Sequence, residues 1–128
     1  MNINEKPFIF SIGRSCHTAM HLQLMKLQNF SYPFDYLIPS LNNEMLETRF
    51  GFIMNGFKRF LDKKDLKVSS DQNAAVSMLK VHNLYSDLWF IHDFAATIPF
   101  DKTFKEVKKK YDRRIKRFMQ TFKKSKNI

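Results

Sequence analysis

Phe104, Val107, Tyr111, Ile115, Phe118 and Phe122 recur at steps of three and four near the C-terminal end of the chain. That spacing lines up one face of an α-helix and cannot line up one face of a strand. It predicts a long amphipathic helix over 101–124. Pro99 stands ahead of it, and Thr103 and Glu106 have the separation of a capping box. Lys108, Lys109, Lys110, Arg113, Arg114, Lys116 and Arg117 fall mostly on the other faces. The simplest reading is a helix packed on a core with a solvated basic side. Its competitor is a surface for an acidic protein, a nucleic-acid backbone or anionic lipid.

The net charge of +10 belongs almost wholly to this segment. Residues 1–100 carry ten Lys/Arg against nine Asp/Glu, and residues 101–128 carry twelve against three. The body is therefore close to neutral. With 128 residues, 44% of them hydrophobic and fourteen of them phenylalanine, the chain suits one globular domain. We expect that domain over 1–122, with 123–128 as a basic, frayed tail. There is one cysteine, so no internal disulfide can form. No apolar stretch approaches a transmembrane segment in length, and no signal-peptide pattern is present. The expectation is a soluble, cytoplasmic protein.

That single cysteine sits where a strand should turn into a helix. Residues 8–12, Phe-Ile-Phe-Ser-Ile, read as a short buried strand; Gly13 breaks it; Ser15-Cys16-His17 opens a helical pattern. The first turn of a helix carries unpaired N–H groups and the positive dipole end, which favours the nucleophilic thiolate. Ile91-His92-Asp93-Phe94 later supplies an imidazole and a carboxylate inside an apolar run. These are the ingredients of a cysteine nucleophile with its base. A small buried cysteine packing the junction is the structural alternative.

The intervening chain should hold a helix over 15–28, with Ala19, Leu22, Met25 and Leu27 facing inward. A turn at Ser31-Tyr32-Pro33-Phe34-Asp35 follows, because a residue before proline avoids helical angles. Residues 43–61 look helical, with Gly51 and Gly56 marking a kink or a division into two helices. Residues 62–71 read as a surface loop or edge element, and 74–83 as either helix or strand. Residues 88–94 are rich in β-formers and read as a second strand. The expected fold is mixed α/β: a small sheet with strands near 7–12 and 88–94 as neighbours. Three or four helices cover it, among them 15–28, 43–61 and 101–124.

Four short motifs in order, Ser11-Ile12-Gly13-Arg14-Ser15-Cys16, Tyr32-Pro33-Phe34-Asp35, His92-Asp93-Phe94 and Tyr111-Asp112-Arg113-Arg114-Ile115, carry a resemblance. Over about residues 8–118 the chain resembles a bacterial family catalogued as papain-like cysteine peptidases and otherwise of unknown function. The resemblance implies Cys16 as nucleophile and His92 as base, acting on a peptide or other acyl substrate. A third group must orient the imidazole, and Asp93 and Asp35 are both candidates. Asp93 is adjacent, but neighbouring strand residues point to opposite faces. Asp35 serves if its turn folds back over the site. Arg14 departs from the small polar residue usual in the family; it lowers the thiol pKa or recognises an anionic substrate. Arg113 and Arg114 are candidates for the same anion-binding role, or for an ion pair to Asp35 or Asp93. The family's domain usually continues beyond such a basic helix, which implies a domain shortened at its C-terminus.

His17 and His21 share a helix face, and with Cys16 they suggest a metal ion, but no second ligand pair completes the set. No metal and no cofactor is expected. His82 reads as a surface or satisfied histidine. Three glycines, none clustered, provide no phosphate-binding loop, and no helix-turn-helix or zinc-finger pattern is present.

Overall fold

The computed structural model describes residues 7–12, 16–39, 46–69 and 77–125. Three helices, α1 (Cys16–Leu24), α2 (Leu46–Met54) and α3 (Phe100–Lys124), accompany four strands. The strands are β1 (Leu37–Pro39), β2 (Leu66–Val68), β3 (Met78–Asn83) and β4 (Leu88–Ala95). They form one antiparallel sheet in the order β1-β4-β3-β2. The mixed architecture expected from sequence is the one observed.

Helix α3 settles on the sheet as its spacing requires. Val107, Tyr111 and Phe118 are buried, with Phe104, Ile115 and Phe122 half-buried beside them. The Tyr111 ring meets Phe90 of β4 at 5.3 Å and Phe60 at 5.9 Å. Leu37, Val81, Leu88, Phe90 and Phe94 supply the sheet side of the core, and Phe34, Phe52, Phe57 and Phe60 close it. Each fully buried Phe removes apolar surface from water with a gain of about 1.5–3 kcal/mol. The capping box is not used. The helix starts early, at Phe100 behind Pro99 as N-cap, so Thr103 lies inside it and its hydroxyl donates to the Pro99 carbonyl.

Residues 7–12 do not join the sheet. Strand β4 already has β1 on one side and β3 on the other, so the expected pairing of 7–12 with 88–94 has no vacant edge. The segment instead runs as an irregular strap over α3. Phe8 and Phe10 lie 5.3 and 4.9 Å from the Phe118 ring, and Arg49 Nη1 of α2 donates to the Ile12 carbonyl.

Both short helices end sooner than their hydrophobic patterns suggest, and by the same device. Lys26 takes a left-handed φ of 56°, its N–H reaching the Gln23 carbonyl while the Leu27 N–H reaches Leu22. That pair of bonds is a Schellman closure. It leaves Met25 and Leu27, expected to face inward, exposed; Ala19 is buried and Leu22 half-buried. Gly56, at φ 71°, does the same for α2, with bonds from Phe57 to Phe52 and from Gly56 to Ile53. A glycine is favoured there because side chains resist that φ. Of the region left open at 74–83, Met78–Asn83 is strand β3 and residues 74–76 lie outside the described residues; within 62–71, Leu66–Val68 is the edge strand β2.

Candidate active site

Strand β4 carries an irregularity that decides which side chains face where. Val81 stands opposite Phe90 and Leu79 opposite Phe94, so a two-residue advance on β3 is matched by four on β4. The surplus falls at Ile91-His92-Asp93. Such bulges re-aim side chains. Here Asp93 and Phe94 are both buried while His92 is exposed.

Asp93 is turned toward α3. Its carboxylate accepts from the Tyr111 hydroxyl at 2.8 Å and from the Lys110 ammonium. Burial, and the Asp93 charge after it, pushes Tyr111 well above the usual phenol range, so this phenol acts as a donor and not as a base. The inward placement of Tyr111 agrees with its sequence reading. The partner of Asp93 on α3, however, is Lys110 and not an arginine.

His92 faces the other way. Its ring meets Tyr36 edge-on, with centroids 6.2 Å apart. This neighbour follows from the β1–β4 register: Leu37 is opposite Phe90, so the chain at 35–36 leaves the sheet beside residues 91–92. Arg114 Cζ lies 5.4 Å from the Tyr36 ring and 5.1 Å from Tyr111. The same guanidinium acts electrostatically on Asp35.

Asp35 is fully buried. Its Oδ2 accepts from the Tyr32 backbone N–H at 2.7 Å and from Gln28 Nε2, whose amide also donates to the Phe30 carbonyl at 2.8 Å. This carboxylate therefore ties the turn at 32–35 to the chain leaving α1. Its Oδ1 has no hydrogen-bond partner among the described residues, and neither does Arg114 Nη1. Burial raises the Asp35 pKa, against the lowering effects of the Tyr32 N–H, Gln28 and Arg114.

Cys16 is the first residue of α1, the placement expected from sequence. Its side chain and the whole of Arg14 lie outside the described residues. Arg113 is exposed on the outer side of α3. The structure thus gathers Asp35, Tyr36, Arg114 and His92 into one neighbourhood and sets Asp93 with Tyr111 and Lys110. Tyr36 and Gln28 were missed in the sequence reading. The signal available was the direct continuation of the Pro-Phe-Asp turn into a tyrosine and a strand.

His82 is satisfied, as expected: its Nε2 lies 2.6 Å from Asp87 Oδ1 and its ring stacks on Trp89 at 4.3 Å. Among the described residues no three His, Cys, Asp or Glu side chains form a metal-binding group. None of the described helices is long and apolar enough to cross a membrane.

The chain belongs to the family described as "Putative papain-like cysteine peptidase (DUF1796)", which it matches over residues 8–128. No curated protein and no solved structure matches it significantly.

Proposed function

We propose that this protein is a cysteine-dependent hydrolase or acyl transferase, most like a peptidase, with Cys16 as nucleophile and His92 as base. The observation that carries the reading is the start of α1 at Cys16 in a chain of this family. Unpaired first-turn N–H groups favour the thiolate and can stabilise the oxyanion that forms when it attacks. The exposure of His92 on a bulge of β4 supports its role, because a base must reach both thiol and substrate.

The reaction has two halves. His92 takes the thiol proton, and the thiolate adds to the substrate carbonyl. The resulting imidazolium then protonates the departing amine as the carbon–nitrogen bond breaks, leaving a thioester. Water, deprotonated by the neutral imidazole, attacks that thioester; the carboxylic acid leaves and the thiol regains its proton. For the group that orients the imidazole, Asp35 is better supported than Asp93. Residues 35–36 leave the sheet beside 91–92 and Asp35 Oδ1 has no partner among the described residues, whereas Asp93 is held by Tyr111 and Lys110. Arg14 and Arg114 are the candidates to meet an anionic group on the substrate. A cytoplasmic setting keeps such a thiol reduced.

Iodoacetamide labelling of Cys16 across pH tests this. A depressed thiol pKa that rises toward the ordinary range in His92→Ala supports the pair. Ordinary free-thiol behaviour, unchanged in His92→Ala, overturns it.

The charge of α3 favours a second reading. Between Arg113 and Lys124 lie six cationic residues and no acid. In the first half of the helix, by contrast, cations meet Asp112 and Glu106. The C-terminal half is then an anion-binding face for an acidic protein, a nucleic-acid backbone or an anionic surface. Its binding should weaken steeply with salt.

A further inference from the structure

Helix α1 and the turn that closes it present apolar side chains to water. Leu24 and Met25 keep 79% and 68% of their surface accessible, and Phe30 keeps 54%; Leu27 is exposed beside them. Singly scattered exposed hydrophobes are ordinary, but several within one short stretch mark an interaction surface. Their exposure is built in by the Schellman closure. It places Lys26 in the left-handed region and turns the chain there, and Met25, Lys26 and Leu27 are all exposed.

A second, independent observation sets cations beside them. The Arg117 guanidinium lies over the Phe30 ring, 5.1 Å from its centroid. This contact joins the apolar cluster to the acid-free basic half of α3. On a helix, residues three, four and seven apart share a side, so Arg113 and Lys124 lie along the side of Arg117, and both are exposed. The surface is thus a set of protruding apolar side chains flanked by cations.

We infer that α1, its closing turn and the C-terminal half of α3 form a surface that docks the protein on anionic lipid bilayers. The inference rests on the anion-binding reading of α3 and not on the thiol chemistry. A bilayer interface uses both halves: leucine, methionine and phenylalanine enter the headgroup boundary while lysine and arginine meet lipid phosphates. A nucleic-acid backbone would engage the cations and leave Leu24 and Met25 in water. An acidic protein segment without apolar side chains would do the same.

The test is co-sedimentation of the full chain with vesicles of phosphatidylcholine alone and of phosphatidylcholine mixed with phosphatidylglycerol. Binding to an oligonucleotide is measured in parallel. Binding to the mixed vesicles only, falling with salt, is expected. Leu24→Ser with Met25→Ser should lower vesicle partitioning about tenfold or more while leaving oligonucleotide binding and the urea midpoint unchanged. Arg113→Glu with Lys116→Glu should abolish vesicle binding. Vesicle binding undiminished by the Leu24/Met25 pair overturns the inference and leaves the anion-binding reading standing. So does oligonucleotide binding without vesicle binding. Failure to bind either probe overturns both.

Discussion

On α3, Val107, Tyr111 and Phe118 are sealed against the sheet and its strap, whereas among the described side chains of α1 only Ala19 is buried, and Met20 and Leu24 face water. Both helices are apolar enough in sequence to be core elements. The difference lies in length and in what each faces. Twenty-five residues let α3 lay one stripe on β4 at Tyr111 and then under the strap and the Tyr32 and Phe57 rings at Phe118; nine residues closed by a left-handed lysine give α1 little to bury. The sheet and α3 form the scaffold. Helix α1, whose first residue is the candidate nucleophile, is tied beyond its closing turn by the Gln28–Asp35 bond.

The sharpest way to break this comparison is to truncate one side chain on each helix. Phe118 meets the rings of Phe8, Phe10, Tyr32, Phe57 and Phe122 within 6 Å. Phe118→Ala should cost about 3–5 kcal/mol, because the surrounding rings cannot all close the cavity. Leu24→Ala should stay within about 0.5 kcal/mol, as befits an exposed site. Urea denaturation of both variants measures this. Equal losses would mean that α1 is packed as firmly as α3.

These differences bear on how much a reader of the sequence can recover. The α3 stripe was legible because a periodic pattern across about five turns has a single geometric solution. The position of Cys16 at a helix start was legible from Gly13 and the change of pattern after it. Strand 7–12 was not, because an apolar run of that length suits a strand or a strap equally, and only the neighbours of β4 decide. The inward faces of α1 were misjudged because left-handed closure by a lysine leaves no glycine to announce it. The site shows the same division. His92 and Asp93 were expected on opposite sides, and they are. The bulge that puts Asp93, and not His92, on the buried side with Phe90 and Phe94, and the Tyr36 neighbour of His92, depend on cross-strand register, which local sequence does not specify.

The next comparison is between the two buried acids. Asp93→Ala should cost roughly 2–3 kcal/mol, since it leaves the Tyr111 hydroxyl buried without an acceptor and removes the partner of Lys110. Tyr111→Phe, which keeps the ring against Phe90, should cost roughly 1 kcal/mol, in keeping with one hydrogen bond to a charged group in a partly open pair. Denaturant midpoints check the order. A Tyr111→Phe loss as large as that of Asp93→Ala would show that the hydroxyl carries the whole interaction.

Asp35 separates from Asp93 in another way: its loss should loosen α1 more than it unfolds the chain. Asp35→Ala frees Gln28 and the Tyr32 N–H, so hydrogen exchange at the closing turn of α1 should quicken while β3 and β4 stay protected. Uniform quickening across the sheet would place Asp35 in the scaffold instead.

The smallest effects expected are those of pH, and their signs distinguish two acids. Burial raises the folded pKa of Asp35 above its unfolded value. The folded chain then holds a proton that the unfolded chain has released. The stability tied to that proton is complete below the unfolded pKa and is lost as pH rises through the folded one. Asp65 behaves in the opposite sense. Arg59 donates to it from Nε at 3.0 Å and Nη2 at 2.8 Å and lowers its pKa. Its contribution is present above the unfolded pKa and lost as pH falls through the folded one. Asp35→Asn should therefore flatten the decline in stability on the rising-pH side of the acid range, and Asp65→Asn the decline on the falling side. Unfolding free energies from urea titrations at a series of acid pH values separate the two slopes. Should Asp35→Asn instead remove a loss of stability on acidification, the carboxylate is stabilised in its charged form by Arg114 and the backbone N–H of Tyr32, and their attraction outweighs its burial.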